Sequence, residues 1–188
     1  MEPDASQLVR AFRGGDKAAA VQLIELFYGR VYNFLRRLTG NEADAADLTQ
    51  QTFSRVWQRL SSFAERSTVS SWIHGIAYYV YVDWRRANGR IETRSSEWWD
   101  AHESAGPGPD EITAGIDMKA TVFRYVEGLG DDVRATVHCH YYQDLTLQET
   151  ADALGIATST VKYRLRQALD ELQRKLRTEK ILTTDRNG

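Results

Sequence analysis

The chain has 188 residues and a mass of 21.4 kDa, enough for one ordinary domain or two small ones at roughly 100–200 residues each. Hydrophobic residues at 42% and charged residues at 27% exclude wholesale disorder, and no apolar run approaches the roughly 18–20 residues that span a bilayer. The net charge of −2 is unevenly spread: residues 1–87 carry +2, 88–132 carry −6, 133–157 carry −2 and 158–180 carry +4, so an anionic polymer would be drawn to the ends and repelled by the middle.

In chain order, Leu8, Val9 and Phe12 mark a short helix that Gly14-Gly15 stops, and Asp16 can cap the next. Val21, Ile24, Phe27, Val31, Phe34, Leu35 and Leu38 then recur at spacings of three and four, one apolar stripe of a long helix ended by Thr39-Gly40-Asn41. Asn41 or Asp44 can cap a third helix whose apolar positions are Ala45, Leu48, Phe53, Val56, Trp57 and Leu60. Residues 61–71 lack a period and predict a loop. A fourth helix follows over about 71–87, with Ile73, Ile76, Ala77, Val80 and Trp84 inward.

Residues 88–114 have the composition of a linker, with Gly106-Pro107-Gly108-Pro109, acids and serines. Its Trp98-Trp99 pair is expected to cover apolar surface on a neighbouring domain or to dock on a partner. Helical pattern resumes near Ile116, with Met118, Val122, Val126 and Leu129 as one stripe and Val133, Val137 and Tyr141 as another. No strand alternation is visible. The expected fold is all-α: two small helical domains, 1–87 and 115–180, joined by an acidic flexible linker, 88–114, with a tail, 181–188.

The most specific local pattern is Leu145 to Lys162. Thr146 and Glu149 have capping-box spacing, Gly155 can take a positive φ and end the first helix sharply, and a second helix begins near Thr158 on a buried stripe of Val161, Leu165, Ala168, Leu172 and Leu176. That is the layout of a helix-turn-helix. Its second helix turns Ser159, Tyr163, Arg166 and Gln167 outward, with Thr160, Lys162 and Arg164 on the flanks, groups able to read base edges and phosphates in a major groove.

On the fourth helix His74, Tyr78, Tyr81 and Arg85 are spaced four, three and four and share a face, with Trp72, Tyr79 and Arg86 nearby. Rings interleaved with guanidinium groups suit unpaired bases, each stacked base contributing roughly 1–3 kcal/mol; packing into a core is the competing role, above all for Trp72 and Trp84. On the third helix Asp44 and Asp47 serve the helix dipole, or belong with Gln50, Gln51 and Ser54 to a protein-docking face.

With these blocks in view, the chain resembles the extracytoplasmic-function sigma factors of bacterial RNA polymerase, a sigma-70 family. Asp44 to Phe53 with Val56-Trp57 is similar to that family's polymerase-binding helix in region 2, Ser71 to Ala77 with Asp83-Trp84-Arg85-Arg86 to its promoter-melting and −10-reading helix, and Leu145 to Leu165 to its region 4 helix-turn-helix, which reads −35 DNA. The resemblance implies that Asp44, Asp47, Gln50, Gln51 and Ser54 dock on the clamp helices of the polymerase largest subunit, with the flap as a further polymerase contact. It implies that Phe63, Ser71, Trp72, His74, Tyr78, Tyr79, Tyr81, Arg85 and Arg86 melt and hold the −10 region. Thr158, Ser159, Thr160, Lys162, Tyr163, Arg164, Arg166 and Gln167 would contact −35 DNA. The acidic linker would thread toward the RNA exit path, and an anti-sigma factor is an implied inhibitor. Tyr78-Tyr79 stand where the family often has Arg-Asn, Tyr163 where it has serine, and Gln167 and Leu169 where arginines are frequent, so promoter preferences do not transfer.

Two other readings compete. A helix-turn-helix regulator acting without polymerase explains residues 145–176 but not the aromatic helix. A metal site at His138-Cys139-His140 is the second: residues two apart on a regular helix point about 200° apart and cannot chelate one ion, so ordinary packing on a helix is expected, with metal or thiol sensing as the open alternative; no metal or other cofactor is expected. No phosphate-cradling Gly-rich loop, nucleophile elbow or HExxH occurs, so no enzymatic activity is expected. The N-terminus, lacking a basic segment before an apolar one, carries no visible signal peptide, and the lone Cys139 excludes an intramolecular disulfide; both fit the cytoplasm.

Overall fold

Each helix of the first half begins on a side chain that satisfies an otherwise orphaned backbone amide. In the computed structural model, which describes the backbone of residues 4–88 and 114–184 and the side chains of 4–88 and 121–177, Asp4 opens α1 (Ala5–Arg13) by accepting from the Ser6 amide at 3.1 Å. Asp16 opens α2 (Lys17–Thr39) through the Ala18 amide at 2.9 Å. Asn41, rather than Asp44, caps α3 (Glu42–Arg59). A 3-10 turn, Leu60–Ser62, leads by a short loop to Thr68, which caps α4 (Val69–Ala87) through the Ser71 amide. The second half comprises α5 (Ala114–Glu127), α6 (Asp131–Val137), a π-helical turn (His138–Tyr142), α7 (Leu147–Leu154) and α8 (Thr158–Thr184). The described residues contain no strand. The expected linker, including Trp98-Trp99, lies outside them except at its ends.

Helices α1 to α4 close around Leu23, Phe27, Val31, Phe34, Leu48, Val56 and Ile73, all essentially inaccessible; burying each such side chain contributes about 1.5–3 kcal/mol. Helices α5 to α8 pack around Val126, Leu129, Val133, Val137, Val161 and Leu165. Three expected core positions differ. Val21 is 50% exposed, because Ala19, Ala20 and Leu23 carry the inward stripe of α2 instead. Trp57 is exposed and rests edge-on against Phe12, centroids 5.7 Å apart. Tyr141 is exposed because the chain widens into a π turn, in which the Gln143 amide donates to the His138 carbonyl five residues back, at 3.0 Å. The wider turn shifts the phase of every side chain after it.

The halves are not independent. Ala135, Cys139, Leu145, Ala153 and Leu154 of the second half belong to the same buried cluster as Phe34, Ile73 and Tyr81 of the first. Helix α4 lies across α7 so closely that a Cβ at Gly75 would stand 3.2 Å from the Ala153 carbonyl oxygen. Glycine on one helix opposite alanine on the other permits that approach.

Candidate nucleic-acid interface

The helix-turn-helix assembles from local chemistry. The Thr146 hydroxyl accepts from the Glu149 amide at 3.2 Å, and the Thr146 amide donates to the Glu149 carboxylate at 2.8 Å, a complete capping box. Gly155 ends α7 at φ 65°, a left-handed value that costs other residues roughly 1–2 kcal/mol. The Ala157 carbonyl then starts α8 by accepting from the Thr160 and Val161 amides. Val161, Leu165 and Ala168 are buried, which turns Ser159, Lys162, Tyr163, Arg166 and Gln167 into solvent, Tyr163 at 68% exposure. Thr158 and Thr160 are half-buried at the flank, and the Thr158 hydroxyl donates to Gln148 at 3.0 Å. Hydroxyl, amide, phenol and guanidinium groups thus stand along one face of a helix narrow enough for the major groove.

Helix α4 is a different case. Phe63 is buried, its ring 4.8 Å from that of half-buried Trp72. His74 is wholly buried, its Nδ1 2.8 Å from the Ser70 carbonyl oxygen and its ring edge-on to Phe34; burial pushes its pKa down to about 4. The Ser71 hydroxyl donates to the Glu149 carbonyl at 2.8 Å, and the Thr68 hydroxyl to the Glu149 carboxylate at 2.8 Å. Burial alone would raise the Glu149 pKa, but the Thr146 amide and the two threonine hydroxyls together hold it below the usual carboxylate range. Tyr78 and Tyr81, expected to face outward because Ile73, Ile76 and Val80 fill the inner side, are 9% and 3% exposed. Both sides of α4 are in fact inner sides: one faces α2 and α3, the other the second half of the chain. Of the aromatic and basic face, Tyr79 and Arg86 remain in solvent and Arg85 is half-exposed.

Two adjacent carboxylates, marked in the sequence only as acids of a first helical turn, tie these helices together. Asp131, at the start of α6, accepts from Arg85 at 2.5 Å, Tyr81 at 3.0 Å and Arg134 at 2.5 Å. Asp132 accepts from Arg164 at 2.8 Å and faces the Tyr78 hydroxyl at 3.4 Å. Burial would raise the Asp131 pKa, yet Arg134, Arg85 and Tyr81 outweigh it and hold the carboxyl low. Burial, reinforced by the facing carboxylates, pushes both tyrosines up to about 12, so they remain neutral donors. The acidic pair in a first turn was a detectable signal, but only as a helix-dipole feature.

A second polar contact joins the halves at α2. Arg30 donates to the Gln143 carbonyl, Arg134 to the Leu38 carbonyl at 3.3 Å, and Arg37 lies 3.8 Å from buried Glu127. His138 Nε2 is 3.0 Å from the same carboxylate; burial lowers the His138 pKa against the opposing pull of Glu127. His140 Nδ1 lies 2.7 Å from the Leu145 carbonyl, and Cys139 is buried, its thiol pushed up to about 12. The three residues of this motif therefore serve separate contacts in a π turn, not the regular helix expected. Among the described residues no cluster of three His, Cys, Asp or Glu could hold a metal ion, and no helix is long and apolar enough to cross a membrane.

The polar face of α3 stays open. Asp47, Gln50, Gln51 and Ser54 are exposed and Asp44 is half-buried. Beside them Tyr28, stacked on Phe53 at 5.9 Å, and Trp57 leave apolar surface in solvent.

The family model described as Sigma-70 region 2 matches residues 23–91, and that described as Sigma-70 region 4 matches residues 126–174. The chain is 30% identical over 163 residues to the ECF RNA polymerase sigma factor SigE of Mycolicibacterium smegmatis, covering 85% of this chain and 63% of that protein. It is 23% identical to the ECF RNA polymerase sigma factor SigW of Bacillus subtilis, covering 94% and 99%. Among solved structures, the sigma factor RpoE of Bartonella quintana, crystallised with the anti-sigma factor NepR, aligns with a TM-score of 0.64 at 20% identity over 83% of this chain and 95% of that one, a likeness of fold.

Proposed function

The chain belongs to the sigma-70 family, in its extracytoplasmic-function group, and from that premise we propose that it directs core RNA polymerase to specific promoters and opens them. The observation that carries the proposal is the order of two matched blocks, region 2 at 23–91 and region 4 at 126–174, with an outward-facing basic helix in the second and an aromatic helix in the first. A regulator acting without polymerase leaves the first block unexplained.

The division of labour follows from chemistry. On α8, Ser159, Lys162, Tyr163, Arg166 and Gln167 contact −35 duplex, with Thr158, Thr160 and, once released from Asp132, Arg164 at the edges. Cations neutralise phosphates and release counterions, while the amide, hydroxyl and phenol groups supply base discrimination. On α4, exposed Tyr79 stacks on unpaired non-template bases and Arg86 holds the strand; Tyr78, Tyr81 and Arg85 join them where the second half of the chain moves off α4, and Phe63, Ser71, Trp72 and His74 support that face. Stacking at about 1–3 kcal/mol per base is comparable with the cost of unstacking one from duplex. On α3, Asp44, Asp47, Gln50, Gln51 and Ser54 dock on the clamp helices of the polymerase largest subunit. Phosphodiester chemistry belongs to the polymerase, so the chain acts as a cytoplasmic, non-enzymatic initiation factor. An anti-sigma factor is its proposed inhibitor, by analogy with the complex of the Bartonella protein.

The test is co-purification with core polymerase. The tagged chain retains stoichiometric core through a gel-filtration column if the proposal holds; a folded chain that elutes apart from core at micromolar concentrations overturns it.

A further inference from the structure

The loop between α3 and α4 is held by a side chain that belongs to neither helix. Arg13, the last residue of α1, donates to the Phe63 carbonyl and, at 2.7 Å, to the Glu65 carboxylate. Among the described residues, no other hydrogen bond reaches residues 63–67 from outside 60–68. The tie falls where the loop needs one. Glu65 takes φ 55°, a left-handed value that a residue with a Cβ disfavours. Ala64, Glu65 and Arg66 are exposed, so past Phe63 neither backbone preference nor burial keeps the chain in place. A guanidinium fork supplies two donors at fixed spacing for these two acceptors. The loop also ends where the face assigned to the −10 strand begins. The Phe63 ring lies 4.8 Å from that of Trp72. Trp72, Tyr79 and Arg86, seven residues or about two turns apart, follow one another in a row along α4.

We propose that Arg13 is a positioning residue for the −10 contact: by bridging the Phe63 carbonyl and the Glu65 carboxylate it fixes loop 63–67 at the head of the Trp72-Tyr79-Arg86 row, and with it the shape of the surface that meets the unpaired strand. The inference rests on the assignment of α4 to −10 DNA. It extends that site to α1, which lies before the region 2 match at 23–91. Arg13 acts through the loop and touches no base itself. An ion pair between half-exposed side chains adds little to global stability, so loss of Arg13 loosens the loop and leaves the helices folded. Discrimination between bases depends on contacts held within a fraction of an ångström and falls first.

Two measurements test it. In the free chain, trypsin cuts after Arg66, exposed in the loop, at a rate that follows the loop's opening, and mass spectrometry identifies the product. R13A raises that rate about fivefold or more at unchanged helical circular dichroism. In the complex with core polymerase, transcripts are sequenced from a library built on one promoter that the wild-type chain uses, its −10 segment randomised in one set and its −35 segment in another. R13A lowers the preference between the best and worst −10 bases about fivefold and leaves the −35 preferences as they are in the wild type. E65A acts in the same direction, and R13A/E65A loses no more than R13A, because both changes break one tie. Unchanged cleavage after Arg66, an unchanged −10 preference, or an equal loss at −10 and −35 overturns the proposal. Should R13A lose helicity, E65A decides by the same two readouts. A wild-type chain that gives no selective initiation with core sinks the sigma-factor assignment and this inference with it, whereas a silent R13A sinks the inference alone.

Discussion

Gly75→Ala sets two effects of known size against each other. Within α4, replacing glycine by alanine in a helix interior contributes about 1 kcal/mol of helix stability. Across the contact with α7, the new Cβ stands 3.2 Å from the Ala153 carbonyl oxygen, 3.5 Å from its Cα and 3.8 Å from its carbonyl carbon. Those atoms are backbone of a capped helix and cannot swing aside, so the helices must separate by a few tenths of an ångström. Overpacking of this kind costs about 1–3 kcal/mol. The gain accrues to α4 whether the halves touch or not, while the cost falls only on the closed arrangement. The contact between the halves should therefore weaken by about 1–3 kcal/mol, which raises the rate at which Cys139, buried in the core the halves share, reacts with an aromatic disulfide by about 5- to 160-fold. Stability of the whole chain should change little, by about −2 to 0 kcal/mol. Thiol kinetics beside urea denaturation read both quantities, and Gly75→Val should exaggerate the first. A Gly75→Ala chain that is more stable and no more reactive at Cys139 would refute the close crossing of α4 on α7.

Lys162→Ala or Arg166→Ala should weaken duplex promoter binding by the polymerase complex and lower the salt dependence by about one unit of log–log slope for each phosphate no longer neutralised, while core co-purification is spared; footprints unchanged in extent and salt dependence would count against the α8 assignment. Asp47→Arg, on the exposed face of α3, should reduce core association without altering thermal stability, and equal co-purification would remove the docking face. His74 is neutral in the folded chain, its pKa about 4 against 6.5 when unfolded. Its lowered value means that only the unfolded chain gains a proton as pH falls from 6.5 toward 4, so stability present above pH 6.5 is lost across that window, on the order of 3 kcal/mol. Urea midpoints should fall accordingly between pH 7 and pH 4.5, and His74→Gln should flatten the slope; a slope unaltered by that substitution would rule out His74 as its source.

The parts of the molecule legible in the sequence are those set by near neighbours. Thr146 with Glu149, Gly155, Asp16 and Asn41 each act within a few residues of themselves, so spacing alone locates the helix starts and the turn between α7 and α8. The open polar face of α3 follows from period. What escapes is set by partners far along the chain. Tyr78 and Tyr81 are covered by carboxylates 54 and 50 residues away, and helical periodicity states that a side is apolar or aromatic without stating how many neighbours the helix has. Val21 departs from its expected place because two alanines, Ala19 and Ala20, and Leu23 make a tighter inner stripe than the larger residues expected there. Tyr141 departs because a π turn adds a residue to the helical repeat, which no composition signal marks.

The packing leaves the polar face of α3 and the outer face of α8 in solvent, while α4 is covered by the second half of the chain. Site-selective initiation in vitro tests the central claim most directly. Purified chain mixed with core RNA polymerase over a library of genomic fragments should yield transcripts from a small set of shared upstream sequences, absent with core alone. A folded chain, free of any inhibitor and bound to core, that leaves the start sites no different from those of core alone would contradict it.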